Sequence, residues 1–397
     1  MCKDESREPM GQSNTTRFRT AAAGASDSLR PIGWVPLLWF VLVICVPALT
    51  RTGAAASQAQ AKPDRIVPVP HPLTSLLRAE QVHRELALSA AQIGDVEKAA
   101  GEVDLPLWRL RDLPAKERNE AADSLMQQLT DRLSRILSAR QLERLNQVVW
   151  QAQGIEAVLE PQVTAGLSLS AEQVNDIGAV LSASYDRITS LQMNTEMRPE
   201  SRKAAYARKL RAEAERSILA VLNSRQQHVL AMLMGRPFDL SQVRGLACKA
   251  PEFEVETWLN SSPLKMSDLK GKVTVIHFYA FGCGNCIRNL PHYNDWHKRF
   301  GAGGLQIVGI HRPETQRERD VEKVKEKAAE AGMDYPVAID NKSLCWDSWA
   351  NRVWPSIYLV DKNGFVRYWW YGELNWQGAE SEKLMRGRIE ELMEEEY

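Results

Sequence analysis

The sequence predicts an α/β domain at the C-terminal end, preceded by an all-α tandem-repeat helical domain. Three observations lead there. The hydrophobic period changes from helical to strand-like past about residue 250, a short helix-start motif recurs four times before that point, and a β-branched run, Val273–Tyr279, leads directly into Cys283-Gly284-Asn285-Cys286. The 397 residues are 44% hydrophobic and 25% charged, which excludes a disordered or collagen-like chain. Lys plus Arg equals Asp plus Glu at 50 each, so no basic surplus marks nucleic-acid binding. Six cysteines are too few for a disulfide-stapled mini-fold. Eight of the 12 tryptophans lie beyond Lys249, so the two ends of the chain differ in chemistry.

Residues 1–31 are polar and carry Lys3, Arg7, Arg17, Arg19 and Arg30. Residues 32–49, IGWVPLLWFVLVICVPAL, hold no charge and are long enough for a signal-peptide core or a membrane anchor. Pro36 and Pro47 argue against a buried core helix, and Ala54-Ala55-Ala56 supplies the small residues a signal peptidase reads. The basic residues in front place residues 57 onward outside the cytoplasm, in a periplasm-like compartment, either anchored by residues 32–49 or released by cleavage near Ala56. Residues 50–72 read as a linker whose proline-rich end is a stiff tether.

Residues 73–245 show an internal repeat. Gln81-Val82, Leu86, Leu88-Ser89-Ala90 and Gln92 recur as Gln162-Val163, Leu167, Leu169-Ser170-Ala171 and Gln173. Leu137-Ser138-Ala139-Arg140-Gln141 likewise recurs as Leu222-Asn223-Ser224-Arg225-Gln226. Each Leu-Ser/Asn-x-x-Gln element is a capping box. The Ser or Asn oxygen accepts the third helical N–H and the Gln reaches back, which starts a helix and carries no chemistry. These elements resemble the periplasmic LTxxQ-motif (Spy/CpxP-like) helical proteins, with Ser or Asn in place of Thr and two units in tandem. The resemblance implies a client-binding or chaperone-like role for unfolded proteins; a spacer or dimerisation module explains the helices as well. The basic run Arg202, Lys203, Arg208, Lys209, Arg211 reads as a solvated helix face.

Residues 246–397 form the α/β domain. Val273–Tyr279 is the pattern of a strand buried on both faces, and an amphipathic helix follows the cysteine motif to about Phe300. Leu305–Ile310 is a second buried strand and Glu318–Ala331 a charged helix. Ser356–Val360 and Phe365–Tyr371 flank the hairpin turn Asp361-Lys362-Asn363-Gly364, and a charged helix closes the chain from about Ala379. A lone CxxC serves either zinc or redox chemistry. Zinc wants four ligands, and neither a second CxxC nor a suitably spaced histidine pair is present, so no metal or organic cofactor is expected. At the start of a helix, Cys283 gains thiolate stabilisation and becomes the attacking thiol, while Cys286, one turn in, is the resolving thiol.

The segments FYAFGCGNCIRNLP, IVGIHRPE, YPVAID and VWPSIYLVDKNGFVRYWWYGE resemble, in order, the thioredoxin-fold TlpA/ResA-like family, in particular the thioredoxin-like domain of DipZ-type proteins. The resemblance implies a thioredoxin fold and disulfide exchange with protein thiols and disulfides, fed by an upstream membrane redox partner. It also implies a cis-proline at Trp354-Pro355 beside the cysteines, with Trp354 at the rim, and a helix kink at Pro291. Three positions depart from the family. Gly282 stands where tryptophan is usual, Asn289 where reductant members place an acid, and His277 where an acidic proton acceptor sits. His277 is therefore either a proton relay or a core histidine. A bare Gly282 and a neutral Asn289 predict an accessible Cys283 and a disulfide more oxidising than in acid-bearing relatives. For Cys248 and Cys345, a second disulfide, two buried thiols or a redox relay are all open.

Overall fold

The computed structural model describes residues 70–193 and 200–397; the charged N-terminal region, the apolar segment 32–49 and most of the linker lie outside them. Among the described residues nine α-helices come first: α1 (Pro72–Leu76), α2 (Glu80–Glu85), α3 (Ala90–Arg109), α4 (Ala115–Ile136), α5 (Ala139–Gln153), α6 (Pro161–Leu167), α7 (Ala171–Met193), α8 (Glu200–Val221) and α9 (Ser224–Met234). All four motif positions are helix starts. Ser89, Ser138 and Asn223 are N-caps with complete capping boxes, and Ser170 and Gln173 exchange the same two bonds.

The motif glutamines do more than cap. Gln92 Nε2 donates to Gln141 Oε1 at 3.1 Å and to the Ile136 carbonyl at 2.9 Å, while Gln141 Nε2 reaches back to the Leu86 carbonyl at 3.1 Å. Gln173 and Gln226 repeat this arrangement, donating to the Val221 and Leu167 carbonyls. Each unit is thus pinned where two helix starts meet. One apolar core gathers α1–α5 around Leu76, Val96, Leu129 and Leu145; a second gathers α6–α9 around Val163, Ile177, Ile218 and Leu230.

The remaining chain builds a seven-stranded sheet from β1 (Cys248–Lys249), β2 (Trp258–Leu259), β3 (Val273–Tyr279), β4 (Leu305–His311), β5 (Val337–Ile339), β6 (Ser356–Val360) and β7 (Phe365–Tyr371), in the order β1-β7-β6-β3-β4-β5-β2. β3, β4 and β5 are parallel; β6 runs antiparallel to β3, and β7 runs antiparallel to β6 as the hairpin expected across Asp361–Gly364. Four helices join it: α10 (Gly284–Phe300), α11 (Val321–Glu330), α12 (Leu344–Ser348) and α13 (Ser381–Glu394). This is a thioredoxin-like arrangement behind a helical one.

β3 is buried at every position, and its side chains alternate between two cores. Val273, Val275 and Tyr279 face α10, α11 and α13, while Ile276 and Phe278 face α12. The α12 face is closed from outside the sheet domain. Trp108, at the end of α3, is fully buried against Tyr358 and Trp369, and its indole N–H donates to the Trp349 carbonyl at 3.2 Å. Arg111 follows it in, donating to the carbonyls of Trp349 and Ala350 and to Tyr371 Oη. The Asp104 carboxylate, paired with Arg78, also accepts the Lys249 N–H.

α11 begins at Val321, later than the expected Glu318, because Asp320 caps it through the N–H groups of Glu322 and Lys323. Of the alternatives open for Cys248 and Cys345, the structure has two buried free thiols and no bond between them: both sit in the α12-side core, and Cys345 Sγ accepts the Glu254 N–H. Burial pushes the Cys345 thiol up to about 12 and Cys248 higher still, so neither is a thiolate at neutral pH. Trp376 is 36% exposed.

Candidate active site

Cys283 and Cys286 form a disulfide at the start of α10. The helix starts here because Cys283 itself is the N-cap: its sulfur accepts the Cys286 N–H at 3.3 Å, and its carbonyl accepts the Ile287 N–H. A sulfur in that position meets the unpaired amides and positive end of the helix dipole, which favours negative charge on it. Cys283 is 9% exposed and Cys286 fully buried, so an incoming group reaches the first sulfur and not the second. Pro291 lies within α10, as expected.

Trp354-Pro355 is a cis peptide. The Pro355 carbonyl accepts the Gly372 N–H at 2.8 Å, which ties the start of β6 to the end of β7. Trp354 is half-buried rather than free: it packs on Trp346 at 4.1 Å, Arg312 lies over its ring at 4.7 Å, and its indole N–H donates to the Arg312 carbonyl.

His277 is fully buried on the α10 side of β3, among Tyr279, Tyr293 and Tyr335. Among the described residues neither ring nitrogen has a hydrogen-bond partner. Desolvation drives its pKa down to about 3, so the ring is neutral. Its opposite number on β4 is Gly309, where a Cβ would come within 3.1 Å of Nε2; the glycine makes the room. Asn289 is also fully buried. Its amide donates to Tyr293 Oη and the Gly372 carbonyl and accepts the Leu374 N–H at 2.9 Å, tying α10 to the chain beyond β7.

Two residues beside the cysteines escaped the sequence reading. Glu318 is 2% exposed, and its carboxylate accepts the N–H of Gly282 at 2.7 Å, those of Glu314 and Thr315 at 2.8 Å, and the Thr315 hydroxyl. Burial raises its pKa, but the bonds from Gly282, Thr315 and Glu314 outweigh that and hold it below the usual range. His311, at the end of β4, stacks on Phe281 and accepts the Phe281 N–H at 3.4 Å. Burial lowers its pKa to about 4, with the Glu318 charge opposing. The signal was present as Thr315-x-x-Glu318, a capping box directly before the Asp320 cap. Gly282 is therefore not simply uncovered: a Cβ there would lie 2.7 Å from Glu318 Oε1.

The arrangement presents one partly exposed cysteine at a helix N-terminus, a buried partner cysteine, and a cis-proline at the start of β6, the strand paired with β3, which leads into the cysteine motif. A family model described as the AhpC/TSA family matches residues 246–369. Protein DipZ of Mycobacterium bovis is 37% identical over 136 residues, 33% of this chain and 20% of that protein. The thiol-disulfide oxidoreductase ResA of Bacillus thuringiensis is 30% identical over 118 residues, 30% of this chain and 65% of that one. The thiol-disulfide oxidoreductase YkuV of Bacillus subtilis is 27% identical over 146 residues, covering 36% of this chain and 94% of its own length. The chain spans about a fifth of the length of DipZ, and every one of these matches is confined to about a third of the present chain. Residues 246–369 form a thioredoxin-fold domain of the TlpA/ResA-like family.

Proposed function

We propose that the chain is a thiol–disulfide oxidoreductase acting on protein thiols and disulfides through Cys283 and Cys286. The observation that carries the reading is the Cys283–Cys286 pair at the N-terminus of α10, one sulfur reachable and one buried. In the reducing direction the Cys283 thiolate attacks one sulfur of a substrate disulfide. A mixed disulfide forms and one substrate sulfur leaves as thiolate. Cys286 loses its proton and attacks Cys283 Sγ, regenerating the intramolecular disulfide and releasing the second substrate sulfur. The reverse sequence oxidises a dithiol. Pro355 and the strand end it begins offer backbone for a substrate peptide, and Trp354 and Gly282 border that approach. We assign His277 to the core, since a ring that is neutral and unlinked by hydrogen bonds lacks a proton path.

Export rests on residues 32–49 and the charges before them, and implies an extracytoplasmic site with an upstream membrane redox partner. The helical repeats are read as a support for the redox domain in preference to a client-binding surface. Tyr185, Tyr206 and Met232 are the large apolar side chains exposed there among the described residues, and Trp108 and Arg111 already engage the sheet domain. The test is reduction of insulin disulfides by the full chain: Cys283→Ser should abolish it, and Cys286→Ser should accumulate mixed disulfides. Full activity in Cys283→Ser would overturn the assignment.

A further inference from the structure

We propose that Glu318 is a positioning residue for Cys283: its carboxylate, held on the Gly282 N–H, opposes ionisation of the neighbouring sulfur and so makes the disulfide less oxidising. The inference rests on the redox reading of Cys283 and Cys286. A tight turn delivers Cys283 to the helix. The Phe281 N–H goes to His311 Nε2, the Gly282 N–H to Glu318 Oε1, and the Cys283 N–H to the Ala280 carbonyl. Two of these three donors are satisfied by side chains from the end of β4 and the loop after it. Only one of the two carries a charge. Glu318 is almost completely buried and four donors converge on its carboxylate, so the charge is fixed one residue from the nucleophile.

The glycine and the acid belong together. A Cβ at residue 282 would stand 2.7 Å from Glu318 Oε1, so any other residue there must move the carboxylate away. A bare Gly282 and an uncharged Asn289 by themselves favour an oxidising disulfide. The structure changes that premise: Asn289 is committed to three hydrogen bonds, and the acid missing from α10 is supplied by Glu318 from across the turn. Other ionisable groups around the turn compensate it only weakly. His277 and His311 are buried and neutral, Arg288 is paired with Glu373, Arg312 lies over Trp346 and Trp354, and Glu314 adds negative potential. A like charge next to a thiol disfavours its thiolate, and destabilising the thiolate destabilises the reduced form.

The test uses the full chain and the isosteric Glu318→Gln, which keeps an acceptor for the Gly282 N–H and removes the charge. The pH profile of Cys283 alkylation should move to lower pH. In the equilibrium of the protein disulfide with two glutathione thiols, giving protein dithiol and glutathione disulfide, the constant should rise about tenfold, or about 30 mV less negative. Gly282→Ala, which displaces the carboxylate, should shift both readouts the same way and add nothing in the Glu318→Gln background. That second variant decides the matter if Glu318→Gln folds poorly. An unchanged alkylation profile, or a shift to higher pH, overturns the inference. A chain that shows the shift yet reduces no protein disulfide fails the functional reading alone.

Discussion

His277 shows at the residue scale how burial outweighs chemistry. An imidazole in the family's acid position could accept a proton, yet its pKa lies near 3 because no neighbour compensates desolvation. The unfolded chain binds a proton at this residue near pH 6.5, whereas the folded one does so only near 3. Stability contributed by keeping the ring neutral is therefore present above about pH 6.5 and is lost as pH falls toward 3, and His311 adds to the same loss down to about 4. Each such group contributes a slope of about 1.4 kcal/mol per pH unit inside its window. His277→Leu should consequently lose about 2 kcal/mol less than wild type on going from pH 7 to pH 5. Urea unfolding at the two pH values measures this, and equal acid losses in both proteins would show that the ring is not buried neutral.

Helix starts are the elements on which the repeat architecture depends. A capping glutamine that bonded only its own N-cap would be worth about 1 kcal/mol. Here Gln92 and Gln141 also bond one another and each other's preceding turn, 49 residues apart in sequence, so the two sites are coupled. Gln92→Ala and Gln141→Ala should each destabilise by about 1–3 kcal/mol. The double variant should cost less than the sum, by about 0.5 kcal/mol or more. A double-mutant cycle in denaturant reads this directly. Strict additivity would mean that each motif acts on its own helix alone.

At the scale of the whole molecule, Trp108 joins the helical and redox parts. It contributes to the core between β6, β7 and α12 as fully as any residue of the sheet domain, although 241 residues separate it from the Trp349 carbonyl it bonds. Arg111 next to it holds the carbonyls of Trp349 and Ala350, in the segment that leads to Pro355. Removing residues before 246 would bare Tyr358 and Trp369, so the isolated redox segment is a poor proxy for the chain. Trp108→Ala should cost about 3–5 kcal/mol. The loss should appear equally in a probe of the sheet domain, such as near-ultraviolet circular dichroism of its tryptophans, and in the helical signal. Unchanged unfolding of the sheet domain would show that the contact carries no stability.

What the sequence determined by itself is local or periodic. Capping boxes at Ser89, Ser138, Ser170 and Asn223 are written within four residues, β3 is a period of apolar side chains, and CGNC between strand and helix announces its own chemistry. Those features need no distant partner to be read. What only the tertiary structure decided is non-local. Thr315-x-x-Glu318 looks like the start of a charged helix until folding turns its carboxylate onto Gly282, 36 residues earlier. Trp108 looks like one more apolar helix residue until the sheet is there to receive it. Cys248 and Cys345 admit a disulfide, two thiols or a relay until packing assigns each its own neighbours. The physical reason is the same in each case. Hydrogen-bond caps and hydrophobic period act between neighbours in sequence, whereas burial, close approach and a charge held beside a thiol depend on which surfaces the folded chain brings together.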